Sequence, residues 1–136
     1  MTESENVIFA YTAADAVADG NSARPFPELA QEAGYNLPVI LTRAAYADVI
    51  EWTRTDAPQD ETGRFWDVLT MARRAAQHAA ADPGAPFPFQ VLRLPNTVNG
   101  KHSRAEIPRL AVLTVRVEIY DRDMTPCLVI ALPGED

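Results

Sequence analysis

Two histidines, one cysteine and a scatter of carboxylates are the groups in this 136-residue chain that could do chemistry. His78 falls inside a long stretch of helical period, His102 beside an Asn-Gly turn signal, and Cys127 in an apolar run, so none of the three has another as a local neighbour. Metal sites gather His, Cys and carboxylate ligands at short fixed spacings, and the chain has neither an HExxH pattern nor a cysteine pair. A nucleophilic cysteine needs a base nearby and a lowered pKa, whereas the surroundings of Cys127 read as apolar. Asp60 and Glu61 have the right type for acid-base work, but at the start of a helix they serve its first turn, and Glu135 and Asp136 read as a solvated terminus. No glycine pattern suited to cradling phosphate is present. The residues therefore assign no catalytic, cofactor-binding or metal-binding position and no cofactor. An enzyme remains as an alternative only if folding brings His78 or His102 beside carboxylates.

The formal net charge is −7, unevenly spread. Residues 1–35 carry Glu3, Glu5, Asp15, Asp19, Glu28 and Glu32 against Arg24 alone, while the rest of the chain is close to balance. Such a field repels nucleic acid and anionic membrane, so direct nucleic-acid binding and membrane association are not expected, and it suits a protein partner with a basic surface. Asp15, Asp19, Glu28 and Glu32 are the candidate protein-binding residues; the bland reading is that they keep the surface solvated. Each pair is spaced i,i+4, and the Gly20–Pro27 connection decides whether the two pairs converge. The single cysteine excludes an internal disulfide and is expected to pack as a small hydrophobe. Val7 to Tyr11 is too short for a signal-peptide core and follows Glu3 and Glu5 rather than basic residues, which predicts a cytoplasmic protein.

The elements that must position these groups are read from period and punctuation. Asp60 to Ala81 is one long amphipathic helix, with Phe65, Leu69, Ala72, Ala76 and Ala79 on its apolar stripe. Arg64, Asp67, Arg74 and Gln77 are expected to face water or a partner, and Asp82-Pro83-Gly84 stops the helix. Val7–Tyr11 is a strand or an extended anchor. Thr12 and Asp15 form a capping box for a short helix over Ala13–Ala18, Glu28–Ala33 forms a second, and Thr42 caps a third reaching about Trp52. Trp52 and Trp66, flanked by apolar residues, read as core. Leu113, Val115, Val117 and Ile119 alternate with Thr114, Arg116 and Glu118, the period of a strand with one buried face. Phe87–Leu94 and Cys127–Leu132 are its partners, the latter joined through Asp121–Pro126 as an antiparallel hairpin. Within 95–108, Asn99-Gly100 marks a turn and Lys101, His102 and Arg104 make the only local basic tip. These three, with Arg116 and Glu118, are secondary surface candidates. The 136 residues, 47% apolar, are enough for one α+β domain: N-terminal helices packed on a small, mainly antiparallel C-terminal sheet.

Ordered blocks across nearly the whole chain carry a resemblance. Tyr11–Gly20, Leu29–Tyr35, Leu37–Arg43, Asp60–Leu69 and Leu132–Asp136 resemble a DUF6573-like family of small bacterial, phage and plasmid proteins. The resemblance supplies no catalytic residues, but its mobile-element setting implies interference with a host system. The leading expectation is thus a non-enzymatic protein-binding factor, a mobile-element inhibitor of a host defence or nucleic-acid-processing protein in the manner of an anti-CRISPR. A structural protein that self-associates through a sheet edge is a further alternative.

Overall fold

A computed structural model describes residues 11–55, 59–98, 101–102 and 107–135. Helix α1 spans Ala13–Ala18, where Thr12 Oγ1 accepts from the Asp15 amide at 3.1 Å and the Asp15 carboxylate accepts from the Thr12 amide at 3.0 Å, closing the expected capping box. Strand β1 is Ser22–Ala23 and α2 is Pro27–Glu32, with Pro27 in its first turn, where no amide donor is needed. Next come β2, Val39–Thr42, and α3, Arg43–Val49, whose first turn Thr42 caps through the Ala45 amide at 3.2 Å. The long helix α4 spans Glu61–Ala81, and Asp60 caps it by accepting from the Thr62 and Gly63 amides at 2.9 and 3.1 Å. Strand β3 is Phe87–Arg93; β4, Thr97–Val98, and β5, Lys101–His102, pair as a small hairpin; β6 is Arg109–Ile119 and β7 Pro126–Ala131.

These elements make the α+β architecture expected, around a five-stranded sheet of order β1-β2-β7-β6-β3. Two strands come from the N-terminal half. Val39, Ile40 and Leu41 of β2 lie parallel to Leu128, Val129 and Ile130 of β7, and β1 pairs antiparallel with β2. The Val-Ile-Leu run has no period to separate strand from helix, and its parallel partner lies far along the chain, so local pattern does not reveal it. The β6–β7 hairpin through Asp121–Pro126 is antiparallel as expected, with Met124 taking a φ of 64° in its turn.

The sheet has a helix layer on each face. On one, Phe65, Val68, Leu69, Ala72 and Ala76 of α4 join Leu41, Phe89, Val91, Leu113, Val115, Leu128 and Ile130 in the main core, which also takes Ala30 of α2 and Ala45 and Val49 of α3. The alanines let α4 lie close to the strands. On the other, Ala13 and Val17 of α1 cover Ile40, Cys127 and Val129. Successive strand residues point to opposite faces, which is why Ile40 and Leu41, or Leu128 and Val129, belong to different clusters.

Three expectations are corrected. Ile119 ends β6 beyond the cover of α4 and is 39% exposed, whereas Leu113 and Val115 are buried. Helix α3 stops at Val49 because the following residues are held by side chains: the Trp52 amide donates to Glu61 at 3.0 Å and Asn96 donates to the Glu51 carbonyl at 2.8 Å. Trp66 is 42% exposed, one residue off the buried stripe of α4. The expected Val7–Tyr11 strand lies outside the described residues except for Tyr11, which is exposed.

Leu69 is fully buried, so Leu69→Ala should cost about 2 to 5 kcal/mol in chemical unfolding; a loss below about 0.5 kcal/mol would contradict its place in the core. Hydrogen bonds from the backbone of Thr12 and then the Arg122 side chain lower the Asp15 pKa, and the Thr62 hydroxyl and Gly63 amide lower that of Asp60. Both caps should therefore persist above the ordinary carboxylate range and fail as pH falls through the lowered folded values, read as helicity lost on acid titration. Asp15→Asn with Asp60→Asn should remove the acid-dependent step; its persistence would place the titration elsewhere.

Candidate functional site at the free sheet edge

The site is built on a buried cation. Sequence period put Arg64 on the wet side of α4, yet it is only 5% exposed. Its Nε donates to the Ile50 carbonyl at 3.0 Å, Nη1 to the Leu94 carbonyl at 3.0 Å and to Gln59 at 3.4 Å, and Nη2 to the Asp48 carbonyl at 3.4 Å. The carbonyls of Asp48 and Ile50 end α3, where the helix leaves acceptors without internal donors. One guanidinium, with its planar fork of donors, thus ties the end of α3 and the end of β3 to the first turns of α4. Burial lowers the Arg64 pKa, and the charge of Arg93 pushes the same way, against Asp48, Glu61 and Asp67. The Arg64 and Arg54 guanidinium carbons lie 4.9 and 5.2 Å from the centre of the Trp52 ring, which is half-buried in this cluster. Arg54 is itself buried and donates to the Pro95 carbonyl at 3.2 Å.

Outside this hub runs the edge of the sheet. The far edge, β1, is two residues long, whereas β3 presents seven and, among the described residues, pairs only with β6. Natural edges are guarded by brevity, proline, charge or a bulge. In β3, Pro88 stands near one end and Arg93 at the other, leaving Phe89–Leu92 uncharged. A groove in two adjoining parts wraps this edge beside α4. An apolar notch of about 350 Å3 is lined by Asp67, Thr70, Met71, Val91, Leu92 and Leu110, and a smaller cleft of about 180 Å3 beside it reaches Arg64 and Arg93. On the face away from α4, cross-strand neighbours Leu92 and Leu110 are 59% and 58% exposed, and Val112 is 45% exposed. Helix α1 covers only the β2–β7 half of that face.

The sequence-derived candidates are not gathered there. Asp15 and Asp19 ride on or just after α1, and Glu28 and Glu32 on α2; these helices pack on opposite faces of the sheet, so the i,i+4 pairs do not merge through one helical layer. Asp15 is also committed to its cap and to Arg122 at 3.1 Å, and Asp19 accepts from the Tyr11 hydroxyl at 3.1 Å. Glu28 and Glu32 are exposed. Arg116 is ion-paired with Glu118 and donates to the Glu135 carbonyl at 3.2 Å, bracing the C-terminal residues against β6. The backbones of Lys101 and His102 form β5; Arg104 and the Asn99-Gly100 turn lie outside the described residues.

His78 stacks on Phe87, with ring centres 5.6 Å apart at 26°. Cys127 is buried under α1, and burial pushes its thiol up to about 12, with the Glu118 charge adding to the shift. Among the described residues no three His, Cys, Asp or Glu side chains are grouped to hold a metal ion, and no helix is long and apolar enough to cross a membrane. No protein-family model, curated protein or solved structure matches the chain.

The free edge and its groove were missed because they follow from sheet order, which a strand's own residues do not encode. The available signal was the apolar Leu110-Ala-Val112 preceding Leu113, whose alternate members cannot share the face that Leu113 buries.

Arg64→Met keeps the volume but strips donors from the Ile50 and Leu94 carbonyls, and should cost about 2 to 4 kcal/mol in chemical unfolding. Arg64→Lys should recover less than half, since an ammonium cannot reproduce the fork. Equal stability of all three proteins would remove Arg64 from the hub. At Cys127, native thiol labelling should be far slower than in the unfolded protein; labelling at the unfolded rate would expose it and reopen a reactive role.

Proposed function

We propose that this chain is a non-enzymatic protein-binding factor that works by occupying a partner. The observation that carries the reading is the apolar surface at the β3–β6 end of the sheet, which no helix among the described residues covers, with Leu92, Leu110 and Val112 each about half exposed or more beside a groove. A contiguous exposed apolar patch rimmed by polar residues is a common mark of protein contact. The net charge of −7 adds a long-range term that favours encounter with a basic partner and disfavours nucleic acid. In this reading the acidic helices steer and the sheet end makes the contact. The further step, that the partner is a host defence or nucleic-acid-processing protein blocked by a mobile-element factor, rests on the family resemblance and extends the same proposal.

Capture from bacterial lysate at low and high salt, with wild type and a Leu110→Lys/Val112→Lys variant of native far-UV spectrum, tests it. Wild type should enrich a discrete protein that the variant does not retain, and added salt should slow association more than it speeds release. Failure of wild type to retain any discrete protein at either salt, or equal retention by the variant, would contradict the reading.

A further inference from the structure

We infer that the edge of β3 receives an extended segment of the partner protein as an added strand, with an apolar side chain in the Met71/Val91/Leu92 notch and a carboxylate at Arg93 and Arg109. The inference rests on the protein-binding reading and assigns its mode of contact.

An edge strand turns the N–H and C=O groups of alternate residues away from its sheet, and only another extended backbone satisfies them in series. β3 offers about 23 Å of such edge at ordinary strand rise. Helix α4 flanks it from Arg64 at the Leu94 end to His78 at the Phe87 end, so an added strand would lie in a trough with one wall already built. The notch lies midway, its helical side made by Asp67, Thr70 and Met71, spaced i, i+3 and i+4 on one face.

Charge fixes the chemistry at one end. Arg93 stands directly opposite Arg109 across the β3–β6 pair, an unfavourable arrangement of like charges. Arg93 bonds to Asp48 at 2.7 Å and donates to the Arg109 carbonyl at 3.1 Å, and the same carboxylate acts on the buried charge of Arg64, so among the described residues Arg109 has no carboxylate partner. Arg109 is exposed. A carboxylate on the incoming segment would complete this end with charge-assisted hydrogen bonds. Charge argues for a segment of another protein over a second copy of the chain, because two copies of net charge −7 repel one another.

The probe is a displayed library of random peptides of about ten residues, long enough to span the edge, selected on the full chain and counter-selected on Leu92→Lys. That variant changes an exposed residue and puts a charge on the edge. Selected peptides should share an apolar residue and an Asp or Glu at fixed spacing, and bind Leu92→Lys about tenfold more weakly. Arg109→Glu should weaken peptides carrying the acid and spare those in which it is replaced by Gln. Exchange of Phe87–Arg93 amides should slow on binding. Absence of enrichment, equal binding to both variants, or slowed exchange confined to other elements would overturn the inference. If wild type still captures a folded protein in those cases, the protein-binding reading stands and its contact lies off the edge. A concentration-dependent dimer abolished by Leu92→Lys would instead overturn it in favour of a second copy.

Discussion

The arrangement of the sheet edge depends on one buried guanidinium. Desolvating a cation is expensive, and Arg64 offsets that cost with hydrogen bonds to three main-chain carbonyls and Gln59, the face of Trp52 and the neighbouring carboxylates. The carbonyls it satisfies end two different elements, α3 and β3, and neither has a helical or strand partner for that group. With both ends pinned to the first turns of α4, the spacing between α4 and β3 is set before any partner arrives. A preformed trough lowers the ordering cost of binding, which is where much of the affinity of a short segment is otherwise lost.

In the proposed function, charge and contact are separated in space. The acidic side chains of the N-terminal helices lie on two faces of the sheet, and the most constrained of them, Asp15, already serves a cap and an ion pair. Arginines instead collect where α3, α4 and β3 meet. Local complementarity at that end therefore favours an acid on the bound segment, while the net field of the molecule favours a basic partner as a whole. The two are compatible because the first acts over hydrogen-bond distances and the second beyond them, where salt screens it.

What was legible in the sequence was local. The caps at Thr12, Thr42 and Asp60, the small-residue stripe of α4 and the alternation in β6 as far as Val115 each follow from side-chain chemistry within a few residues, and each stands where period and punctuation put it. Helical period failed at Arg64 because a long side chain at the border of the buried stripe can curl inward when unpaired carbonyls await it, and those come from residues 48, 50 and 94. β2 was hidden by its parallel, sequence-distant partner, and once it fills the centre with β7, the hairpin strand β3 is left at the margin. The candidate site is thus a consequence of strand order.

Amide hydrogen exchange of the free protein measures most directly whether that edge is open. In β3, alternate residues should exchange quickly while their neighbours, bonded to β6, are protected, and the amides of β7, flanked by β2 and β6, should be protected throughout. Uniform protection along Phe87–Arg93, equal to that in Cys127–Ala131, would mean that the edge is already covered and would contradict the account.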